Sequence, residues 1–530
     1  MKQIKQSILF VSLLLPMTIS CNKDLVEMNK NPQEVETPSI PGLFNKVVSE
    51  SSFTLHKNLT LLYNELYFPY SQLTATSKKL GVDPILGSNT SNWTSYYTML
   101  AHQRKLEDLL NNYAGDKASL VNVQAMLKVI SAMKTLEAVD VFGDIPYTRA
   151  GYAYFTGTQQ VLRPAFDDAT GVYKTVLTDL KWASDHIVTD PTARTPSGSL
   201  YYTLDAADVL FGNKMLLWQK FSNALRLRYA ARIYEKDAAT GGAIIKEVLD
   251  NNQPLPAEGE DVQFLRLAGD RPQVSFAAAG SNGVRMGTNI WKCVSSSNAT
   301  DGSGIFDPRV PVFFETNKQG QWKPYPQAPG TGAPVDNGDP YNGDRNNRIK
   351  SDFSAVNYDL IMDVKALPDI AISTAEVNFL KAEAYQRGMG VGKDVNKAGQ
   401  AYLQGIRESV SFWYKVVAKV EVWNNRPVAP DATKLDAFLR HPQVAFPTGD
   451  DQQLRAIYRQ YWLSLFWQPN EAFYLLRRTG GMTPTDAPVD MSFSRLNYPA
   501  SERLDNTEYY NAQVSKMGGD DIGKKIWWMK

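Results

Sequence analysis

The run DAADVLFGNKMLLWQKFSNALRLRYAARIYE, residues 205–235, contains no proline and predicts a helix of about eight turns. Leu210, Leu217, Phe221, Leu225 and Ala231 recur on one side. Trp218, Leu227 and Tyr229 widen that side beyond the single stripe of a surface helix. A helix apolar over so wide an arc must be packed on more than one flank, which predicts the hub of a helical scaffold. Asn223, Arg226, Arg228 and Arg232 sit inside it and need partners wherever they are buried. Structural pairing is the expected role of these four, ahead of catalysis.

On the N-terminal side, residues 43–76, 93–112 and 120–142 read as helices. The third is ended by Gly143, in a position that suits a left-handed cap. Pro146 in the DIPY turn disfavours helix at the residue before it. Pro164 is expected to open another helix, with Phe166, Tyr173, Val176 and Leu180 on one face, and a shorter helix at 237–251 follows the hub. Between 253 and 368 the texture changes to Gly, Pro, Asn and Ser with short apolar runs such as VPVFF at 310–314. This predicts an inserted region of loops and short strands. Helices return at a capping box made by Ser373 and Glu376. RGMGVGKD, residues 387–394, then turns the chain into an antiparallel partner helix. Residues 452–467 and 470–478 are the last expected helices, and an irregular tail follows Gly480. The class is mainly α, and helix pairs joined by short turns suggest tetratricopeptide-like hairpins.

The first twenty residues read as a signal peptide: Lys2 and Lys5, then an apolar run over 8–20 interrupted by Pro16. That run is too short to span a bilayer, which takes about 20 residues. Ser20 directly before Cys21 fits lipoprotein processing, with Cys21 lipidated and residues 21–41 forming a polar tether. Ordinary secretion with a free Cys21 is the alternative. Acyl chains, at about 0.8 kcal/mol per buried methylene, would hold the protein to a membrane without crossing it. Residues 42–530 are then one domain, and 43% hydrophobic content over 530 residues is enough for a large core. With Cys21 lipidated only Cys293 remains, which excludes an intrachain disulfide and a Cys/His metal site. The 56 basic residues against 55 acidic ones leave no net field to favour nucleic acid.

Several segments together resemble one family. TLEAVDVFGDIPYTRA (135–150), LLWQKFSNALRLRYAARI (216–233) and STAEVNFLKAEAY (373–385) are similar to scaffold motifs of SusD/RagB-type nutrient-binding outer-membrane lipoproteins of Bacteroidetes. EAFYLLRRTGGMTP (471–484) and SRLNYPASERLDNTEYYNAQ (494–513) resemble the family's C-terminal signature, and CNKDLVEMN (21–29) resembles its surface-export segment. The resemblance covers essentially the whole mature chain in order. It implies a right-handed helical scaffold with tetratricopeptide-like hairpins and a ligand face of inserted loops. It also implies a TonB-dependent SusC-like β-barrel as partner, and capture of an oligosaccharide or other nutrient without cleavage. The family's ligand contacts lie in variable loops, so no binding residue carries over.

Enzyme templates are missing from the residues themselves. His56, His102, His186 and His441 are scattered without HExxH spacing, and no GxSxG elbow occurs. Residues 388–393 lack phosphate-loop spacing. The acid pairs Asp167/Asp168 and Asp450/Asp451 would need a partner across a glycosidic bond to hydrolyse it; a lipid-anchored glycan hydrolase is the competing reading. The inserted region offers more for binding. SNGVRMGTNIWK (281–292) and QWKPYPQ (321–327) set Trp291, Trp322 and Tyr325 among Gly, Pro and Asn, and Tyr341 follows. Flat rings with a polar edge suit stacking on a sugar, and Asn282, Arg285, Asn289 and Lys292 could bond its hydroxyls. The plainer alternative is that these rings fill a small loop-domain core. Trp93, Tyr96 and Tyr97 form a second candidate platform. DNGDPYNGDRNN (336–347) is rich in oxygen ligands that suit calcium but departs from EF-hand spacing, and such residues also simply make turns. No cofactor is expected.

Overall fold

The computed structural model describes residues 38–52, 66–76, 83–153, 155, 158–264, 284–327, 351–362, 369–421, 423–480 and 489–530. The signal segment, Cys21 and its tether, Asn282, Tyr341 and the 336–347 run lie outside the described residues. The principal helices are α1 (Ile40–Ser51), α2 (Asp83–Asn111), α3 (Val121–Phe142), α4 (Ala169–His186), α5 (Met215–Ile233) and α6 (Ala238–Asp250). They continue as α7 (Thr288–Val294), α8 (Thr374–Arg387), α9 (Val395–Lys419), α10 (Asp450–Ser464), α11 (Pro469–Arg478), α12 (Ala500–Asp505) and α13 (Thr507–Met517). The protein is mainly helical, as its patterning predicts.

Helices α3 and α4, α5 and α6, and α8 and α9 pack as successive pairs, while α5 touches α3, α4, α6, α8 and α11. From Phe221 to Ile233 every residue of α5 is buried, so it is the predicted hub. It begins later than the periodicity suggested. Gly212 and Asn213 take positive φ, and Asp208 organises the turn before the helix. The Asp208 carboxylate accepts from the amides of Phe211 and Asn213 and from the Trp218 indole at 2.9 Å.

All four polar groups of the hub are paired. Arg228 donates through Nε and Nη2 to both oxygens of Glu376, each at 2.6 Å, and Nη2 also donates to the Ala371 carbonyl. Arg232 bridges Asp140 and Glu471, and Arg226 reaches Glu247 at 2.7 Å. The Asn223 side chain accepts from Ser184 and Arg226 and donates to the Pro254 carbonyl. A second buried centre lies between α8, α10 and α11, where Arg478 donates to both Glu383 oxygens at 2.8 and 2.6 Å. Removing one partner from such a pair strands a buried charge at a cost of about 3–5 kcal/mol.

The acid pairs are structural too. Asp168 caps α4 through the amides of Thr170 and Gly171, and Asp167 ties down the amides of Tyr147 and Thr148 in the DIPY turn. Asp450 and Asp451 begin α10 and pair with Lys393 and Arg455. The Gly-rich turn after α8 is a packing device: Gly390 has φ +71°, and a Cβ there would lie 1.9 Å from the Gly242 carbonyl oxygen on α6.

The inserted region contains antiparallel strands. Strands β1 (Ala75–Thr76), β3 (Val284–Arg285), β5 (Ala355–Val356) and β4 (Phe314–Glu315) form one sheet in the order β1-β3-β5-β4. Strands β2 (Val262–Phe264) and β6 (Asp369–Ile372) form another. The region also holds α7, where a loop was expected, and a short helix at Val310–Phe313 where VPVFF suggested strand. The tail after Gly480 departs further from expectation, since it carries α12 and α13. Gln513 is the one buried residue of α13, with Tyr510 and Met517 only partly buried against the core, so these helices present a weak apolar stripe for periodicity to register.

Candidate functional site

A surface cleft of about 560 Å³ opens along one face of α2. Trp93, Thr94, Tyr97, Thr98, Ala101 and His102 line it, adjacent pairs repeating every four residues as one helical stripe should. The DIPY turn contributes Pro146, the segment before α4 contributes Leu162 and Pro164, and α12 contributes Glu502. A separate space of about 40 Å³ beside Arg228 and Glu471 is of water size rather than ligand size.

The cleft is held by hydrogen bonds across chain-distant elements. Trp93 Nε1 donates to Glu502 Oε1 at 3.2 Å, and the Tyr97 hydroxyl donates to the Pro146 carbonyl at 2.9 Å. The Trp93 ring packs on Tyr97, Phe142 and Tyr498 with centroids at 4.8, 5.0 and 5.6 Å. Trp93 is nearly buried, at 6% exposure, while Tyr97 is half-buried. Burial pushes the Glu502 carboxyl above its ordinary range, opposed by hydrogen bonds from Asn506 and Trp93. Leu162, 53% exposed, gives the rim an apolar surface. Ring edges, hydroxyls and one carboxylate around a cleft of this size suit a ligand with both C–H faces and hydroxyl groups.

Of the residues proposed from sequence, Trp93 lines the cleft and Tyr96 does not. Tyr96 is 1% exposed and turned into the core, because it lies off the stripe that carries Tyr97. The inserted region also departs from the expected surface platform. Trp291 is on α7, 3% exposed within the main core, and Arg285 is wholly buried on β3. Tyr325, 2% exposed, meets Phe353 edge-on at 4.8 Å in a satellite core with Ala75. These three are therefore interior groups, not a stacking face, because α7 packs Trp291 into the main core and the short sheet covers Tyr325 in the satellite one. Trp322 is half-buried over Gly302 and keeps a solvent-facing surface, away from the cleft lining. Asn289 is buried and donates to Gln72 at 3.0 Å.

Sequence reasoning missed Glu502 and Thr98 and gave His102 no binding role. The paired repeat along α2 was available as a signal; the contribution of α12 was not.

Residues 29–499 match a SusD-like family described as starch-binding and associating with the outer membrane. The fold is similar to a SusD homologue from Parabacteroides distasonis at 19% identity, TM-score 0.68, covering 93% of this chain and 98% of that one. It is similar to a chitin-binding SusD homologue from Flavobacterium johnsoniae at 19% identity, TM-score 0.65, covering 92% and 98%. A Bacteroidetes SusD-like protein gives 16% identity, TM-score 0.67, covering 93% and 100%. No curated protein matches the sequence. Among the described residues no helix is long and apolar enough to cross a membrane.

Proposed function

The chain belongs to the SusD-like family, and from that membership we propose that it is a lipoprotein, anchored through Cys21 at the cell surface, that captures an oligosaccharide. It hands the glycan to a TonB-dependent SusC-like barrel for import. The observation that carries this reading is the cleft of about 560 Å³ between α2 and α12, with Trp93, Tyr97 and Glu502 in its wall. The family description and the chitin-binding title of one structural relative favour a carbohydrate. Glu502 is already engaged by Trp93 and Asn506, which suits hydroxyl binding better than the paired-carboxylate chemistry of glycoside hydrolysis.

Isothermal titration of the mature protein against chitin, starch and pectin oligosaccharides tests the reading. Binding of at least one glycan, with no new reducing ends after long incubation, supports it. Peptide binding with no glycan binding would replace the ligand class, and product formation would make the protein an enzyme. Co-purification of a barrel with the lipidated protein tests the partner.

A further inference from the structure

A second depression, of about 440 Å³, lies next to the cleft and is lined by Thr90, Asn497, Tyr498, Arg503, Tyr510 and Asp520 among others. Thr90 and Arg503 line it, and each adjoins a cleft residue: Thr90 is one turn before Trp93 on α2, and Arg503 directly follows Glu502. The Tyr498 ring, which packs against Trp93, lines the second depression as well. The two hollows are thus neighbours, lined by adjoining residues of α2 and α12.

Arg503 sets the chemistry of the second hollow. It is exposed and forms no ion pair among the described residues. The acid in the lining, Asp520, is already committed to Arg495 at 2.7 Å and to the Tyr498 amide at 3.1 Å. Its charge is therefore balanced, and the guanidinium of Arg503 is left over. The half-buried ring of Tyr510 lines the hollow as well, its hydroxyl donating to Asp520 at 3.4 Å. Asn497 contributes wall rather than a contact, since its side-chain oxygen is shielded from solvent.

We propose that this hollow is a second subsite for an acidic sugar of the same glycan, one whose carboxylate or sulfate meets Arg503. A planar guanidinium takes either oxyanion through paired N–H donors. The inference rests on glycan binding in the Trp93 cleft and names the ligand class: an acidic rather than a wholly neutral polysaccharide.

The test is titration calorimetry with three oligosaccharides of equal length: oligogalacturonate, a sulfated galactan fragment and neutral chitohexaose. Wild type and Arg503→Gln are compared at low and physiological salt. An acidic oligomer is expected to bind wild type about tenfold more tightly than the neutral one. Arg503→Gln brings that ratio to about one, and added salt narrows it in wild type only. Preference for the uronate or for the sulfate identifies which acid group the site takes. A wild-type ratio near one, or an unchanged ratio in Arg503→Gln, overturns the acidic subsite while leaving glycan capture standing. If none of the three binds while a peptide does, both readings fall. Arg503 is exposed and unpaired, so its replacement leaves the fold intact; a circular-dichroism melt matching wild type verifies this.

Discussion

Two groups of aromatic residues looked alike in the sequence and differ in the folded protein. Trp291 and Tyr325 lie among Gly, Pro and Asn, where flat rings suggest a ligand platform, yet both are interior. Trp93 and Tyr97 lie on a long helix, where packing is the ordinary role of a ring, and although Trp93 is packed in the core both also line an open cleft. What separates them is what covers the element that carries them. The insertion's helix docks Trp291 into the main core, and its sheet covers Tyr325. The α2 stripe is only partly covered, because the DIPY turn and α12 meet it at the margins. Ring type therefore marks candidates, and the coverage of the supporting element decides among them.

The largest effect should come from breaking the interior group. Trp291→Ala should cost about 3–5 kcal/mol of stability in chemical denaturation, while the folded fraction keeps wild-type glycan affinity. A parallel loss of affinity in fully folded protein would return Trp291 to the binding surface.

Acid titration contrasts the buried scaffold with the cleft wall. Burial alone would raise the Glu383 carboxyl, but Arg478 and Arg387, with the Tyr458 hydroxyl, bring it to about 2. Its stabilisation is therefore complete above the unfolded value near 4.5 and is lost as pH falls towards 2. The loss amounts to about 3 kcal/mol. Glu502 is shifted upward, so its contribution has the opposite sign, fading as pH rises through the folded value. Denaturation midpoints between pH 5 and 2 should fall in wild type. The slope should flatten in Glu383→Gln and persist in Glu502→Gln.

A smaller change is expected from Trp93→Phe, which keeps most of the core filling and removes the indole bond to Glu502. Glycan affinity should drop about tenfold, some 1.4 kcal/mol, with a much smaller shift in melting temperature than Trp291→Ala produces. Unchanged affinity would detach Trp93 from the ligand. Trp322→Ala should do least, costing about 1 kcal/mol or less of stability without altering binding. A clear loss of affinity would show that the insertion contributes contacts after all.

The sequence made some elements plain for physical reasons. The hub declared itself because its apolar arc is too wide for a surface helix, and its arginines were rightly assigned to pairing. Its start was misplaced because Asn213, like Gly212, adopts positive φ, which a periodicity of apolar residues does not register. Half of the capping box at Ser373 held: Ser373 Oγ accepts from the Glu376 amide at 3.1 Å, while the Glu376 carboxylate is taken by Arg228 and Tyr461. Half of the cleft was readable, since Trp93 and Tyr97 sit at helical spacing. The other half was not, because α12 and α13 are polar and are positioned by tertiary bonds. Among these are the Asn506 side chain to the Pro164 carbonyl, and Gln513 and Lys516 to Asp144.

That division of the cleft has a bearing on biogenesis. The Trp93 part of the lining is laid down early and the Glu502 bonded to it only at residue 502, with most of the polypeptide between them. A chain threading out N-terminus first would expose the Trp93 face long before its counterpart arrived. Should the cleft hold glycan as proposed, a product terminated before residue 502 would keep the Trp93 face and lack the carboxylate that completes it.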